Sequence, residues 1–465
     1  METPREPREA PRWARLSLLA LVLAAAWLRL PGRTAEEPWF DEIFSIVLAS
    51  QDLPELLRRT LVDQTNPPGF YLLLWAWTRI GGFDVTWMRL LPALIGTLTV
   101  PALAFAARAT GASWSGALVA GALVAVSPLA LAMSSELRAY APLALATALA
   151  ITAAAGRRPV VLALCGVALV SMHYFGALVV AALAIGMLWA DRSRPRDALV
   201  PAIPAATALV TWGLLVYAGE GGGTVGGNAS WIPAVGLRAL PSFGSVIVGT
   251  FDSAWGAVLV PFAFALVLAH AVREAFARPT SDRARSARLV IAAAVLPLAL
   301  VAIATLLTGR ALWVPRYLII AIPGWILLVQ RGIDRPGRWR GGLITVILLW
   351  ALLAGTFAEQ ERPRKTAWSL VARALTAGAP RALCVNESFV ALPLRYHAIS
   401  LRVPLTVLDL ADCTAERRPS AIIFREGTEV SLERLRRAGA VTGRVRDLGT
   451  TLPATWIVPL QWHRR

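Results

Sequence analysis

Apolar runs of about 20 residues recur along the chain, and each is long enough to cross the hydrocarbon core of a bilayer as a helix. The 465 residues are 56% hydrophobic and only 16% charged, with a mean hydropathy of +0.58, which favours a membrane protein over a soluble one. The stretch 159–190 is longer than one span, and His173 and Gly176 near its middle predict two short helices. The other candidate spans are 15–30, 87–107, 114–133, 138–155, 198–218, 255–272, 289–308, 312–329 and 342–356.

The run 67–80, PPGFYLLLWAWTRI, is too short to span and is more typical of an interfacial or re-entrant segment. If it does not span and the N terminus is inside, arginines concentrate in every inner loop, as the positive-inside rule requires. Counting it as a span would invert all later loops. The sequence therefore predicts a polytopic α-helical membrane protein with eleven spans, beginning with an uncleaved signal-anchor.

The predicted topology divides the chain at residue 357. Residues 1–357 form the membrane domain, in which 31–86 is a long first outer loop with surface helices near 43–50 and 53–62. Residues 358–465 are more polar and are predicted to form a small extracytoplasmic α/β domain. Its strand-like runs are 382–385, 421–424 and 456–460, and its helical patterns are 367–375 and 432–438.

Charge and cysteine content bound the partners of the chain. The formal net charge is +17, but Lys365 is the only lysine, so the excess of arginine resembles genomic base composition and loop bias rather than a nucleic-acid surface. We therefore expect no nucleic acid. Cys384 and Cys413 in the polar part could form a disulfide if that part is extracytoplasmic, or remain two buried thiols.

Polar residues from six separate segments fall on the outer side of this topology. Asp41 and Glu42 lie in WFDEIFS of the first outer loop, although such a pair could also be merely solvated. Charges at membrane depth are costly, so the arginines among them need anionic partners or a wet cavity. The others are Asn66 in the same loop, Arg89 at the start of the second span, Glu136, Arg138, His173 and Tyr174 in outer turns, and Arg316 and Tyr317 in the tenth span.

Each of these residues also has a purely structural interpretation. Arg89 and Arg316 could extend to lipid headgroups. Glu136 and Arg138 could form an ion pair at a helix start. His173 could be a packed interfacial histidine rather than a ligand. The convergence of all of them on one side favours a site, where a carboxylate accepts a proton and arginines hold a lipid phosphate that leaves. The reaction indicated is sugar transfer from a polyprenyl phosphate to a hydroxyl.

Several strings resemble the GT-C glycosyltransferases, in particular the bacterial branch related to protein O-mannosyltransferases and to the aminoarabinose transferase of lipid A. WFDEIFS resembles the acidic first-loop motif of that superfamily, and NPPGFYLLLWAWTRIGG its HPPLYYLLL-type segment. TWMRLLPALIG, SPLALAMSSELRAYAPL, MHYFG and VPRYLIIAIPG follow in the expected order, and RKTAWSLVARAL resembles the start of the extracytoplasmic domain.

The resemblance implies roles for these residues. Asp41 would be the catalytic carboxylate that activates the acceptor, and Glu42 would assist or position it. Inversion at the anomeric carbon is expected. The donor phosphate would be bound by Arg89, Arg138, Arg316 and Tyr317, and the site lined by Asn66, Glu136, His173 and Tyr174.

The same resemblance implies the cofactors, partners and location. Asn66 stands where histidine is common, and we expect no required metal, with a divalent metal as the alternative. The partners would be a polyprenyl-phosphate sugar, membrane lipid, and a glycan, lipid or protein acceptor, at the outer face of a bacterial inner membrane. A transporter or flippase of lipid-linked sugars is the main alternative, although no internal repeat is visible. A noncatalytic envelope assembly protein is the other.

Overall fold

The chain consists of two units, each with its own internal contacts. One unit comprises residues 1–33 and 48–359, and the other comprises 34–47 and 360–465. The expected first outer loop, 31–86, is thus divided between them. The computed structural model describes residues 10–30, 37–219, 268–276, 281–308, 312, 314–333, 368–369, 372, 382–385, 388–402, 405–414, 416–417, 419, 421–424, 433, 435–437, 440–442, 446–447 and 456–462.

Helices make up the described part of the chain up to residue 333. Among the residues that the structure describes, four stretches are long and apolar enough to cross a membrane by length and composition: Val85–Ala109, Pro195–Ala218, Asp282–Thr308 and Arg316–Ile333. The helices are α1 (Arg12–Arg29), α2 (Phe40–Ala49), α3 (Leu53–Asp63), α4 (Gly69–Gly81), α5 (Val85–Ala109), α6 (Trp114–Ala125), α7 (Pro128–Met133), α8 (Tyr140–Ala155), α9 (Pro159–Met172), α10 (Gly176–Ala190), α11 (Pro195–Leu199), α12 (Ile203–Ala218), α13 (Asp282–Thr308) and α14 (Ile322–Ile333).

The predicted division of 159–190 into two short helices is confirmed, because α9 ends at Met172 and α10 begins at Gly176. The predicted surface helices near 43–50 and 53–62 correspond to α2 and α3. The run 67–80 forms α4, a helix of 13 residues, which is shorter than a span requires. Most of the predicted span 255–272 and all of 342–356 lie outside the described residues.

Two predicted spans near site residues are not continuous α-helices, and a third, 198–218, contains the short 3₁₀ segment Val200–Ala202. The span 114–133 is broken after Ala125, because proline disfavours a helical residue before it and Ser127 accepts a hydrogen bond from the Ala130 N–H to start α7. The span 312–329 begins as a 3₁₀ segment, Pro315–Ala321, and becomes α-helical only at Ile322. Both irregular segments lie beside predicted site residues.

The surface of the helical unit is apolar where a membrane would surround it. Along α1, large side chains such as Leu16, Leu23 and Trp27 are 57–62% exposed, whereas Ala14 and Ala25 are buried against neighbouring helices. Exposed apolar side chains recur on α9 and α12. A soluble protein would not tolerate such continuous apolar surface, but lipid matches it.

Alternating helix directions give this unit two distinct ends. At one end lie the start of α5, the turn before α8, the turn between α9 and α10, and the 3₁₀ segment, as the 5.2 Å separation of the His173 and Tyr317 rings shows. At the opposite end lie the end of α5, the start of α13 and the end of α14, where Arg331 Nη1 donates to the Thr110 carbonyl at 2.7 Å. We call them the His173 end and the Arg331 end.

The second unit contains a mixed sheet. Strands β1 (Ala382–Val385), β2 (Thr406–Asp409), β3 (Ala421–Phe424), β4 (Ala440–Thr442), β5 (Arg446–Asp447) and β6 (Trp456–Trp462) are ordered β2-β1-β3-β6-β4, with β5 also pairing with β6. β1 is parallel to β2 and β3, whereas β6 is antiparallel to its neighbours. The predicted strands 382–385 and 421–424 coincide with β1 and β3. Helix α15 (Ser388–Ser400) was not predicted.

Cys384 and Cys413 form a disulfide in this unit, which decides between the two alternatives left open by the sequence. Cys384 lies on β1, and both cysteines are buried among Leu408, Ile422 and Val458. The covalent bond therefore joins an inner strand of the sheet to the segment that follows β2.

Candidate active site

Arg138 lies in the turn that connects α7 with α8, at the His173 end. The side chain is only 7% exposed, and its Nη1 donates a hydrogen bond to the Tyr71 hydroxyl of α4 at 3.1 Å. The same turn holds Glu136, which is 8% exposed, and the Arg138 N–H donates to the Glu136 carbonyl. The buried Arg138 guanidinium is thus connected to α4 by a hydrogen bond to a neutral hydroxyl.

His173 occupies the turn between α9 and α10 and is packed among aromatic rings. Its Nδ1 accepts a hydrogen bond from the Phe175 N–H at 3.1 Å, and its ring lies 5.2 Å from those of Phe175 and Tyr317. Burial first, and then the positive charges of Arg138 and Arg316, together lower the pKa of His173 to about 3. His173 is therefore neutral at ordinary pH, with its proton on Nε2.

Tyr317 and Arg316 approach the same turn from the 3₁₀ segment. The Arg316 guanidinium carbon lies 5.5 Å from the centre of the Tyr317 ring. Tyr317 also contacts Tyr140 at the start of α8, with 6.4 Å between ring centres. Two arginines and two tyrosines from separate parts of the sequence thus surround His173.

A small cavity opens between these residues, with room for about one water molecule. Asn66 is 7% exposed, and its Oδ1 has no hydrogen-bond partner among the described residues. Such an oxygen requires a donor from a ligand or water. The described residues contain no group of three His, Cys, Asp or Glu side chains that could hold a metal ion. The described lining is Asn66, Pro67, Phe70, Tyr71, Arg138, Ala139, Tyr140, Met172 and His173.

Tyr174 connects the end of α3 with α12 through hydrogen bonds of its hydroxyl. Its hydroxyl donates to the Gln64 carbonyl at 3.1 Å and accepts from the Trp212 indole N–H at 3.2 Å. Burial raises the pKa of Tyr174, and the nearby negative charge of Asp63 acts in the same direction. The hydrogen bond to Gln64 holds the residues just before Asn66 next to the His173 turn.

Arg89 lies in the second turn of α5 and is only 7% exposed. A side chain that extended to lipid headgroups would be far more exposed, so the burial disfavours that interpretation. Arg89, Glu136 and Arg138 all belong to the helical unit. Arg89 lies near the start of α5, and the other two lie in the turn before α8.

Asp41 and Glu42 lie in the first turn of α2, in the second unit. Glu42 is fully buried, Asp41 is partly exposed, and the Ser45 hydroxyl donates to the Asp41 carbonyl at 3.0 Å. The chain just before α2 is anchored within its own unit, because the Ser369 N–H donates to the Glu37 carboxylate at 2.8 Å. The predicted proximity of Asp41 to the arginines stays a prediction.

Three residues outside the predicted set contribute to the His173 end. Tyr71 orients Arg138, and its hydroxyl in an apolar run was the available signal. Gln64 caps α3 with a left-handed backbone (φ 58°), and neither of its amide atoms has a hydrogen-bond partner among the described residues. Arg29 donates to the Val124 and Ala125 carbonyls, each at 3.0 Å, and to Ser134 Oγ at 3.2 Å. A charge inside the first apolar run was its signal.

Comparison with solved structures identifies the fold. Over 96% of this chain and 97% of the other, it is similar to ArnT from Cupriavidus metallidurans in the apo state, with 14% identity and a TM-score of 0.59. The structure of the same protein bound to undecaprenyl phosphate matches 97% of this chain and 98% of its own, with 14% identity and a TM-score of 0.58. The apo oligosaccharyltransferase from Archaeoglobus fulgidus matches 90% of this chain and 70% of its own, with 11% identity and a TM-score of 0.52.

No protein-family model and no curated protein sequence matches the chain. At these identities the structures establish the fold rather than the activity. ArnT and the oligosaccharyltransferase are GT-C glycosyltransferases, so the resemblance inferred from the motifs is confirmed at the level of the fold. This chain is a multi-pass membrane protein with the fold of the GT-C glycosyltransferases.

Proposed function

We propose that the chain transfers a sugar from a polyprenyl-phosphate donor to a hydroxyl of an envelope glycan, lipid or protein. The observation that carries this proposal is the similarity in fold, over 97% of the chain, to ArnT bound to undecaprenyl phosphate. The buried arginines at the His173 end support it, because guanidinium groups bind phosphate oxygens well.

The donor phosphate would lie against Arg138 and Arg316, with Arg89 and Tyr317 completing its binding site. Guanidinium groups form short, charge-assisted hydrogen bonds with phosphate oxygens. His173 stays neutral beside the two cations, so it does not add a third positive charge. The space around the sugar and phosphate would be lined by Asn66, Glu136 and Tyr174.

The proposed reaction is a single displacement with inversion. Asp41, positioned by Glu42, accepts the proton of the acceptor hydroxyl as its oxygen attacks the anomeric carbon. The bond from that carbon to the phosphate oxygen breaks, and its electron pair leaves with the polyprenyl phosphate. The arginines stabilise the second negative charge that develops on the phosphate. Because they supply this positive charge, we propose that no metal ion is required.

The site would face the outer side of a bacterial inner membrane. Residues 1–357 would form the membrane glycosyltransferase domain, and 358–465 an extracytoplasmic domain. Two observations support this orientation: arginines concentrate in the loops of the other side, and the Cys384–Cys413 disulfide suits an oxidising compartment.

The proposal is tested with the purified full chain and a polyprenyl-phosphate sugar, by measuring release of polyprenyl phosphate in the presence of an envelope extract as acceptor. Asp41→Asn should lower the turnover at least a hundredfold, since general-base catalysis contributes about 10²–10⁴-fold. Asp412→Asn is the matched control, because Asp412 is an exposed aspartate of the same unit.

Turnover in Asp41→Asn equal to that of the control would refute the assignment of the base. Movement of the labelled donor across a proteoliposome membrane without release of polyprenyl phosphate would indicate a flippase instead.

A further inference from the structure

A second polar cavity lies at the Arg331 end, remote from the candidate active site. Its volume is about 760 Å³, and it is bounded by the ends of α5, α8, α10 and α14 and by the start of α13. Every described residue that lines it belongs to the helical unit. Nothing in the proposed sugar transfer uses this cavity.

The cavity contains an ion-pair network around a buried carboxylate, that of Glu274. The Glu274 carboxylate accepts from Arg283 Nε at 2.9 Å and from Arg331 Nη2 at 3.2 Å, and its side chain is 5% exposed. At the rim, Arg157 pairs with Asp191 at 2.8 Å. The described lining contains five arginines and four carboxylates, which leaves one positive charge in excess. A ligand with a single negative charge would balance it.

Gln330 provides an independent indication of a ligand. It lines the cavity and is only 1% exposed, and neither its Nε2 nor its Oε1 has a hydrogen-bond partner among the described residues. A buried primary amide with both functions unsatisfied is costly, so it requires a group that can both donate and accept. A hydroxyl does both, whereas a simple anion only accepts.

Apolar side chains border the polar cavity. Phe276, two residues after Glu274, is 60% exposed, and Val272 on the same helical segment, 268–276, is 38% exposed. The Phe276 ring lies 6.0 Å from that of Trp189, next to residues that line the cavity. Polar lining beside exposed apolar surface fits an amphiphile better than a fully soluble molecule.

We propose that this cavity binds the headgroup of an anionic phospholipid with one phosphodiester charge and free hydroxyls, of which phosphatidylglycerol is the simplest example. The phosphodiester balances the excess arginine charge, a headgroup hydroxyl satisfies the Gln330 amide, and the acyl chains lie along Phe276 and Val272. The lipid comes from the leaflet at the Arg331 end.

The test uses the full chain in nanodiscs of phosphatidylcholine with and without phosphatidylglycerol, and reads lipid retention by native mass spectrometry together with the Tm. Wild type should retain phosphatidylglycerol and show a higher Tm in its presence. Gln330→Leu should reduce retention about tenfold, because the hydrogen bonds to the headgroup are lost. Gln64→Leu is the matched control, since Gln64 is also a buried glutamine with an unsatisfied amide but lies at the other end.

Equal retention by Gln330→Leu and Gln64→Leu would overturn the proposal. Soluble glycerophosphoglycerol, added to phosphatidylcholine nanodiscs, separates the two sources of the headgroup. It should leave the Tm unchanged, and a shift equal to that given by phosphatidylglycerol would overturn the assignment to a lipid.

Discussion

At the scale of single residues, the His173 end is organised by hydrogen bonds and ring contacts between residues far apart in the sequence. Tyr71 accepts from Arg138, and His173 stays neutral because it is buried beside Arg138 and Arg316. The sequence predicted the arginines, but it could not predict Tyr71 as the partner, because the two residues are 67 positions apart.

Tyr71→Phe should weaken donor use without disrupting the fold. The substitution removes the hydroxyl that accepts from Arg138, so the guanidinium loses its orientation, and kcat/KM should fall about tenfold for the loss of one charge-assisted hydrogen bond. Tyr217→Phe is the control, because Tyr217 is 77% exposed. Equal kcat/KM in the two variants would contradict the role of Tyr71.

His173 should make the folded state sensitive to acid. The pKa of His173 is about 3 in the folded protein, below the ordinary value of 6.5. Below pH 6.5, His173 therefore becomes protonated in the unfolded chain while it stays neutral in the folded one. Stability is therefore lost as the pH falls, by about 2 kcal/mol at pH 5. His173→Gln should lose Tm less steeply than wild type between pH 7 and 5. Parallel Tm profiles would count against the depressed pKa.

At the scale of secondary-structure elements, breaks and close approaches decide where the site residues lie. A β-carbon on Gly69 would lie 2.6 Å from the Ser171 carbonyl oxygen, so α4 begins in direct contact with the end of α9. This contact brings Tyr71 beside the His173 turn. His173 and Gly176 predicted the break between α9 and α10 from the sequence, but the short 3₁₀ segment and the strands β2, β4 and β5 carry too little periodicity to be predicted.

Gly69→Ala should therefore destabilise the helical unit by about 1–3 kcal/mol, because the added methyl overpacks the contact with Ser171. The matched control is Gly213→Ala in α12, where nothing lies within 4 Å of the added carbon. That variant should keep or slightly raise the Tm. A Tm for Gly69→Ala as high as that of the control would show that the contact is not close.

At the scale of the whole molecule, the helical unit has two chemically different ends. The His173 end contains the candidate active site, and the Arg331 end contains the ion pairs of the buried Glu274 carboxylate. Arginines concentrated at the Arg331 end are what the positive-inside rule expects of a cytoplasmic side. The predicted eleven-span topology rests on this asymmetry together with the short length of α4.

A reporter fused after Gly156 should give a cytoplasmic signal, because that position follows α8 at the Arg331 end. A reporter after Gly82, between α4 and α5, should give an extracytoplasmic signal and serves as the control. An extracytoplasmic signal after Gly156 would refute the eleven-span topology and would place α4 among the spans.

The sequence alone determined the membrane class, the GT-C resemblance and most helix positions, since these depend on local hydrophobicity, length and motif order. Only the tertiary structure decided that Tyr71 holds Arg138, that Cys384 bonds Cys413, and that Gln330 faces a second cavity. It also assigned 34–47, with Asp41 and Glu42, to the unit of the C-terminal sheet. These outcomes depend on contacts between residues far apart in the chain, whose formation is set by the packing of whole elements and leaves no local pattern in the sequence.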